Sequence, residues 1–267
     1  MKKRPLVSII IPTHNRATFL SRAITATLDQ SYSNIEVIVV DDCSSDNTKD
    51  VVLGFSDRKV IYFRNKQNKG GPYSRNRGLS HAKGTYIMFL DDDDSLHPDK
   101  IALQVEKFES SRVENLGVVT CDVSYKRSDI ASVRKNRLRG MIYKQLLRSY
   151  CVFGTETMLI KKTCFDVIEG FDVNLESNQE YDLAICLAKH FSFDYVSRVL
   201  TYKYESTDQI SFNFTKKLNG TRYLYKKHLS AFKDQGVYGY NFFRFCYLFF
   251  KYTVGKYCGR RVYLWLP

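Results

Sequence analysis

"TYIMFLDDDDSLHP", residues 85–98, sets an apolar strand directly before four adjacent aspartates. Neighbouring carboxylates repel one another, and they gain no packing in return. Such a run is either a solvated acidic turn or the place where a cation is held. The elements on either side decide what surrounds it.

Strand-like and helix-like segments alternate from residue 6 to residue 110. "LVSIIIP" (6–12), "NIEVIVVDD" (34–42), "KVIYFRN" (59–65) and "TYIMFLD" (85–91) read as short strands, three of them apolar enough to be buried on both faces. Between them, "RATFLSRAITATLDQ" (16–30), "SSDNTKDVVLGF" (44–55) and "GPYSRNRGLSHAKG" (71–84) read as helices, as does "PDKIALQVEKFES" (98–110). Four such repeats predict an α/β fold, a mostly parallel sheet with helices on both faces. In such sheets ligands gather at the carboxyl ends of the strands. "THNR" (13–16), "DDCSSD" (41–46) and "DDDD" (91–94) all fall there. Carboxylates in that position, near basic groups, suit a divalent cation bridging to a phosphate.

From residue 116 the pattern loosens. "LGVVTCDVSY" (116–125) is expected to be a strand, "KRSDIASVRKNRLRG" (126–140) a mobile polar loop, and 140–150 a helix. Residues 155–172 read as a strand and a short helix, 178–191 as a helix and 193–204 as a strand.

Composition narrows the function classes. The 267 residues carry a net charge of +13, of which +9 falls in residues 201–267. That imbalance points to a polyanionic neighbour: lipid headgroups, nucleic acid or a phosphorylated substrate. The seven cysteines show no C-x-x-C spacing, so a disulfide framework or zinc site is not expected, and reduced thiols in a cytoplasmic protein fit. The apolar run after "MKKRP" stops at Pro12, too short for a signal core. No stretch of about 20 uncharged apolar residues predicts a spanning helix.

Four blocks, "VSIIIPTHNR" (7–16), "EVIVVDDCSSDNT" (36–48), "NKGGPYSRNRGL" (68–79) and "FLDDDDSLHPDKI" (89–101), resemble in order and spacing those of the family 2 glycosyltransferases, which have a GT-A (Rossmann-like) fold. The likeness runs from about residue 5 to 211. It implies a catalytic domain at 1–212, with a nucleotide-binding half at 1–115 and an acceptor half at 116–212. Residues 213–267 are then a C-terminal helical, aromatic and basic extension. It also implies an inverting transfer of a sugar from a nucleotide-sugar, in first place a UDP-sugar, to a hydroxyl of a glycan or lipid-linked acceptor in surface polysaccharide synthesis. The enzyme would be a metal-dependent hexosyl- or N-acetylhexosaminyl-transferase.

Residue by residue, the resemblance makes Asp91 and Asp93 the D-x-D ligands of Mn²⁺ or Mg²⁺. Thr13, Asn15, Arg16, Asp42, Arg75 and Asp92 would line the nucleotide site, Asn76 and Gly78 shaping the turn after Arg75. Asp41 competes with Asp42 for the base-binding role. In "NQEYDLAICL" (178–187) the family's acidic pair reads Gln179–Glu180, which makes Glu180 the catalytic base and Asp182 the second choice. Many relatives carry a histidine before "Q-I-S", where this chain reads "YKYESTDQIS" (202–211). Glu205 or Asp208 would have to replace it.

Residues 238–267 hold 12 aromatics, five Lys/Arg and no acid. Such a helix either lies at an anionic membrane surface or packs on its own domain or a partner subunit. The first option places the protein in the cytoplasm, peripheral to the inner face of the cell membrane. Two other readings compete with the transferase: a sugar nucleotidyltransferase, disfavoured because "PTHNRATF" has no glycine, and a non-catalytic nucleotide- or polyanion-binding protein. Nucleic acid is not an expected partner.

Overall fold

The computed structural model describes residues 4–127, 130–149, 154–204 and 213–265. The expected alternation is present: β1 (Val7–Thr13), α1 (Ala17–Leu28), β2 (Ile35–Asp41), α2 (Thr48–Leu53), β3 (Val60–Arg64), α3 (Gly71–His81), β4 (Tyr86–Phe89), a two-residue β5 (Ser95–Leu96) and α4 (Lys100–Ser110). β2 pairs with β1 and β3, and β1 with β4, all in parallel. Thr13 pairs with Asp41 at the end of the ladder, and the amide of Leu90 donates to the carbonyl of Ile10. Thus β1, β2 and β4 all point toward the same sheet edge, and the residues after them share it.

The central strands are apolar along most of their length because both faces are covered. Ile10, Ile38, Val40, Ile87 and Phe89 face one core, with Leu183 and Leu187 beyond them. Ile9, Ile11, Val37, Val39, Met88 and Leu90 face the other, against Leu20 and Ile24 of α1 and Ile101 and Val105 of α4. The period-2 alternation of the pleat divides each strand between the two cores.

The second half makes the sheet mixed. It comprises β6 (Leu116–Arg127), β7 (Ile130–Arg134), α5 (Tyr143–Arg148), β8 (Leu159–Lys161), α6 (Gln179–His190) and β9 (Ser192–Tyr204). β8 inserts antiparallel between β4 and β6, and β9 runs parallel to β6, giving the order β3-β2-β1-β4-β8-β6-β9-β5. The stretch 126–140 is not simply a loop: β7 lies within it and pairs antiparallel with β6. The described side chains of β7, 131–134, are exposed, and the strand is held to β6 by the backbone ladder. Its polar, basic sequence therefore carries no strand periodicity.

Three helices follow: α7 (Phe214–Lys227), α8 (Leu229–Asp234) and α9 (Tyr238–Trp265). Leu224, Phe232 and Val237 join the core that contains Phe89 and Leu183, so these helices are built onto the sheet domain. Asp182 of α6, almost wholly buried, accepts from Lys227 at 2.8 Å and lies 2.7 Å from His228 Nε2. Among the described residues no helix is long and apolar enough to cross a membrane. Residues 205–212, where Glu205 and Asp208 fall, lie outside the described part, as does Cys151.

Packing of α3 onto the sheet leaves no room at Gly78, where an added Cβ would lie 2.4 Å from Ile10 Cγ2. At Gly239 of α9 nothing lies within 4 Å of such an atom. Gly78→Ala is therefore expected to lower stability by about 1–3 kcal/mol through overpacking. Gly239→Ala is expected to be neutral, or to stabilise by up to about 1 kcal/mol through helix propensity. Urea unfolding midpoints of the two variants check both signs.

Candidate active site

The loops after β1, β2 and β4 are tied to one another. Asn15 adopts a left-handed conformation, φ 53°, which its short polar side chain tolerates. Its amide donates to Ser44 Oγ at 2.9 Å, and its carboxamide oxygen accepts from the Ser45 amide at 2.7 Å. Thr13 donates to Asp92 at 2.7 Å. Arg16 forks across the acidic run, pairing with Asp92 and Asp93 at 2.9 Å each. Burial works against the Arg16 charge, but Asp92 and Asp93 outweigh it and hold its pKa above the ordinary value. Burial pushes Asp92 up to about 7, with Arg16 and Thr13 opposing and Asp93 and Asp91 adding to the rise.

Asp42 braces the loop before α3. It accepts from Asn65 Nδ2 at 2.7 Å and from the amides of Lys69 and Gly70 at 2.9 and 2.6 Å. Asp41 accepts from the Ser44 amide at 2.7 Å and from the Tyr62 hydroxyl at 2.5 Å. Both aspartates are buried at the strand end, each already holding part of the loops there.

Beyond β4 the acidic run divides. Asp92 and Asp93 turn to Arg16. Asp91 and Asp94 instead join Glu156, a residue that no sequence pattern singled out, and ligand atoms of these three carboxylates lie within 4.8 Å of one another. Glu156 is fully buried, and among the described residues no side chain other than Lys203 is paired with its oxygens. Gly154 makes room for it: φ is 83°, and a Cβ there would fall 1.9 Å from Glu156 Oε1. Lys203 of β9 reaches into the group. Its Nζ lies 2.9 Å from Asp94, 3.0 Å from Glu156 and 3.8 Å from Asp91. Arg75 of α3 donates to Asp91 at 2.7 Å.

Two cations thus face three carboxylates in a desolvated space. Burial raises the pKa of Glu156 and Asp94, with Lys203 opposing in both cases. Burial would raise Asp91 too, but Arg75 and Lys203 prevail and lower it. Buried carboxylates without hydrogen-bond donors are costly unless a cation meets them. The oxygen-only donor set fits a hard divalent ion.

The opposite wall is the first turn of α6. Arg75 donates to Gln179 Oε1 at 3.1 Å, so one guanidinium spans from Asp91 to the start of this helix. Burial works against the Arg75 charge, while Asp91, Glu180 and Glu156 raise its pKa. Glu180 is half-buried, and its carboxylate makes no hydrogen bond or ion pair shorter than 4 Å among the described residues. Asp182, two residues on, is spent on Lys227 and His228. The structure therefore joins Asp91 to Arg75, places Glu180 near enough to act on the Arg75 charge, sets Thr13, Arg16, Asp92 and Asp93 beside Asp91, and turns Asp182 toward α7. Glu156 and Lys203 escaped sequence reasoning because each lies far along the chain from the acidic run. A glycine two residues before a buried acid was the only local sign.

Residues 8–165 match the glycosyl transferase family 2 domain. A UDP-Glc:alpha-D-GlcNAc-diphosphoundecaprenol beta-1,3-glucosyltransferase, WfgD of Escherichia coli, is 31% identical over 191 residues, covering 69% of this chain and 70% of that protein. Relatives in Rickettsia species extend well beyond this chain, which spans 57% of one and 32% of another. Among solved structures, S. aureus TarS 1-349 in complex with UDP-GlcNAc superimposes with a TM-score of 0.68 at 16% identity, over 84% of this chain and 66% of that one. The mannosyltransferase PcManGT from Pyrobaculum calidifontis, in complex with GDP-Man and Mn²⁺, gives 0.65 at 18% identity, over 90% and 69%. These structures share the GT-A fold with this protein. The domain match covers more than half of the sequence, and the chain belongs to glycosyl transferase family 2.

Proposed function

We propose that this protein is an inverting glycosyltransferase that moves a sugar from a UDP-sugar to a hydroxyl of a glycan or lipid-linked acceptor in surface polysaccharide synthesis. The observation that carries the reading is the span of Arg75, which links the acidic group at the end of β4 to the helix start bearing Glu180. Leaving group and incoming hydroxyl need opposite charges on opposite sides of one sugar, and this crevice offers them.

The nucleotide would lie over the ends of β1 and β2, with Thr13, Asn15, Arg16, Asp92 and the aspartates at 41 and 42 around it. Arg75 would steady the donor. Asp91 would hold a divalent cation, joined either by Asp93, as the D-x-D pattern has it, or by Asp94 and Glu156, which the geometry sets around it. A bound dication supplies positive charge against the diphosphate as it leaves. Glu180 would accept the proton of the attacking hydroxyl from the first turn of α6. The oxygen would attack the anomeric carbon from the face opposite the diphosphate. Asp182 would keep α6 in register with α7 through Lys227 and His228.

The C-terminal helices would bring this site to its acceptor. One side of α9 packs against α7, while Phe243, Phe250 and Tyr257 stand 74%, 58% and 77% exposed on the other. Exposed aromatics beside Lys and Arg suit the interface of an anionic bilayer. The protein would then work in the cytoplasm, peripheral to the membrane.

Three outcomes are expected. Glu180→Gln should keep UDP-dependent protection against thermal unfolding but lose about 10²–10⁴-fold in turnover, measured with a panel of nucleotide-sugars and Mn²⁺; near-normal transfer would take Glu180 out of the base role. Asp42→Ala should weaken UDP protection, and an unchanged melting shift would count against a nucleotide over β2. Phe243→Ser with Phe250→Ser should abolish co-sedimentation with phosphatidylglycerol vesicles while the melting temperature holds. Equal sedimentation of the double variant would dismiss the membrane role of α9.

A further inference from the structure

The cation-binding reading of the acidic nest leaves one fact unexplained: a side chain already stands in it. Lys203 belongs to β9, next to Tyr125 of β6 in register, and its stem runs from there to the end of β4. Its ammonium lies against all three carboxylates of the nest. Burial works against its charge, and Glu156, Asp94 and Asp91 more than compensate, holding it well above the ordinary lysine value. A divalent ion binds carboxylate oxygens at about 2.0–2.6 Å. An ammonium within 3.8 Å of the same three groups fills the space such an ion needs, and the two would also repel one another.

We propose that the Lys203 ammonium is the resident cation of the Asp91–Asp94–Glu156 nest, and that a divalent ion enters only by displacing it. Lys203 then sets the affinity for the ion. Lysine suits an exchange of this kind. It is a compact point charge on a flexible stem, without the fixed fork by which Arg16 grips Asp92 and Asp93. Glu156 is the second requirement. Apart from Lys203 itself, no side chain is paired with its oxygens among the described residues, so the departure of Lys203 frees it for a metal. Two cations against three carboxylates leave the nest one positive charge short while Lys203 holds it, and a dication in its place makes up the shortfall.

The inference rests on the proposed metal-dependent transferase, and its test can fail independently. Mn²⁺ binding is measured on the purified full chain by calorimetry, without donor, for the wild type, Lys203→Met and Arg16→Met. Displacement predicts that Lys203→Met binds Mn²⁺ about tenfold tighter or more, because no resident charge has to leave. Arg16→Met should stay within about threefold of wild type, because its partners Asp92 and Asp93 lie outside the nest. Unchanged or weaker binding by Lys203→Met overturns the proposal, as does an absence of Mn²⁺ binding by any of the proteins. A gain in Arg16→Met alone overturns it too, since the ion would then sit at Asp93. Should Lys203→Met not fold, wild-type protein with ¹³C-labelled lysine is titrated with Mg²⁺. The Lys203 Cε resonance, assigned by its loss in Lys203→Arg, must shift with the same half-saturation as metal binding, and a stationary resonance contradicts displacement. UDP protection measured on the same samples reports separately on the nucleotide site.

Discussion

A surplus of buried carboxylates at one edge of a parallel sheet is the constraint on which the rest of this structure depends. Parallel pairing of β1, β2 and β4 forces their carboxyl ends together, and two of the ends deliver acids: Asp41 and Asp42 from β2, Asp91 to Asp94 after β4. Charges of one sign in a desolvated space are tolerated only when cations reach them. Arg16 arrives from the loop after β1, Arg75 from α3 and Lys203 from β9, so elements nearly two hundred residues apart are held to one point. The same electrostatics that order the loops leave positive charge in short supply. That shortage suits a site for a metal-bound diphosphate.

The C-terminal helices extend this logic to the opposite side of the crevice. α6 carries Glu180 and Asp182 on its first turn, and the two meet different surroundings. Asp182 faces inward to Lys227 and His228, which fixes α7 against α6. Arg244 of α9 donates to the Tyr181 hydroxyl at 3.0 Å, so α9 also reads the position of α6. A load on the outer aromatic face of α9 would therefore reach α6 through Arg244 and Tyr181.

How much of this was legible in the sequence follows from how local each signal is. The apolar strands and their helices were, because both-face burial writes itself as continuous runs such as "VSIII" and "EVIVV". So were the strand ends, since Thr13, Asp42 and Asp91 follow directly on those runs. β7 was not, because an edge hairpin needs only backbone pairing. Nor was the division of the four aspartates. Adjacent residues look equivalent in sequence, yet Asp92 and Asp93 go to Arg16, while Asp91 and Asp94 face Glu156 and Lys203. Burial of Glu156 depends on β8 inserting antiparallel beside β4, a tertiary event with no local signature beyond Gly154.

Placing the metal and the nucleotide tests all of this most directly. Crystals soaked with UDP and Mn²⁺, with manganese located by anomalous diffraction, should show the ion coordinated by Asp91 and bridging to the diphosphate, the uracil over the ends of β1 and β2, and Glu180 across the crevice. Manganese bound away from Asp91, or UDP lodged elsewhere on the protein, would contradict the assignment of this crevice as the active site.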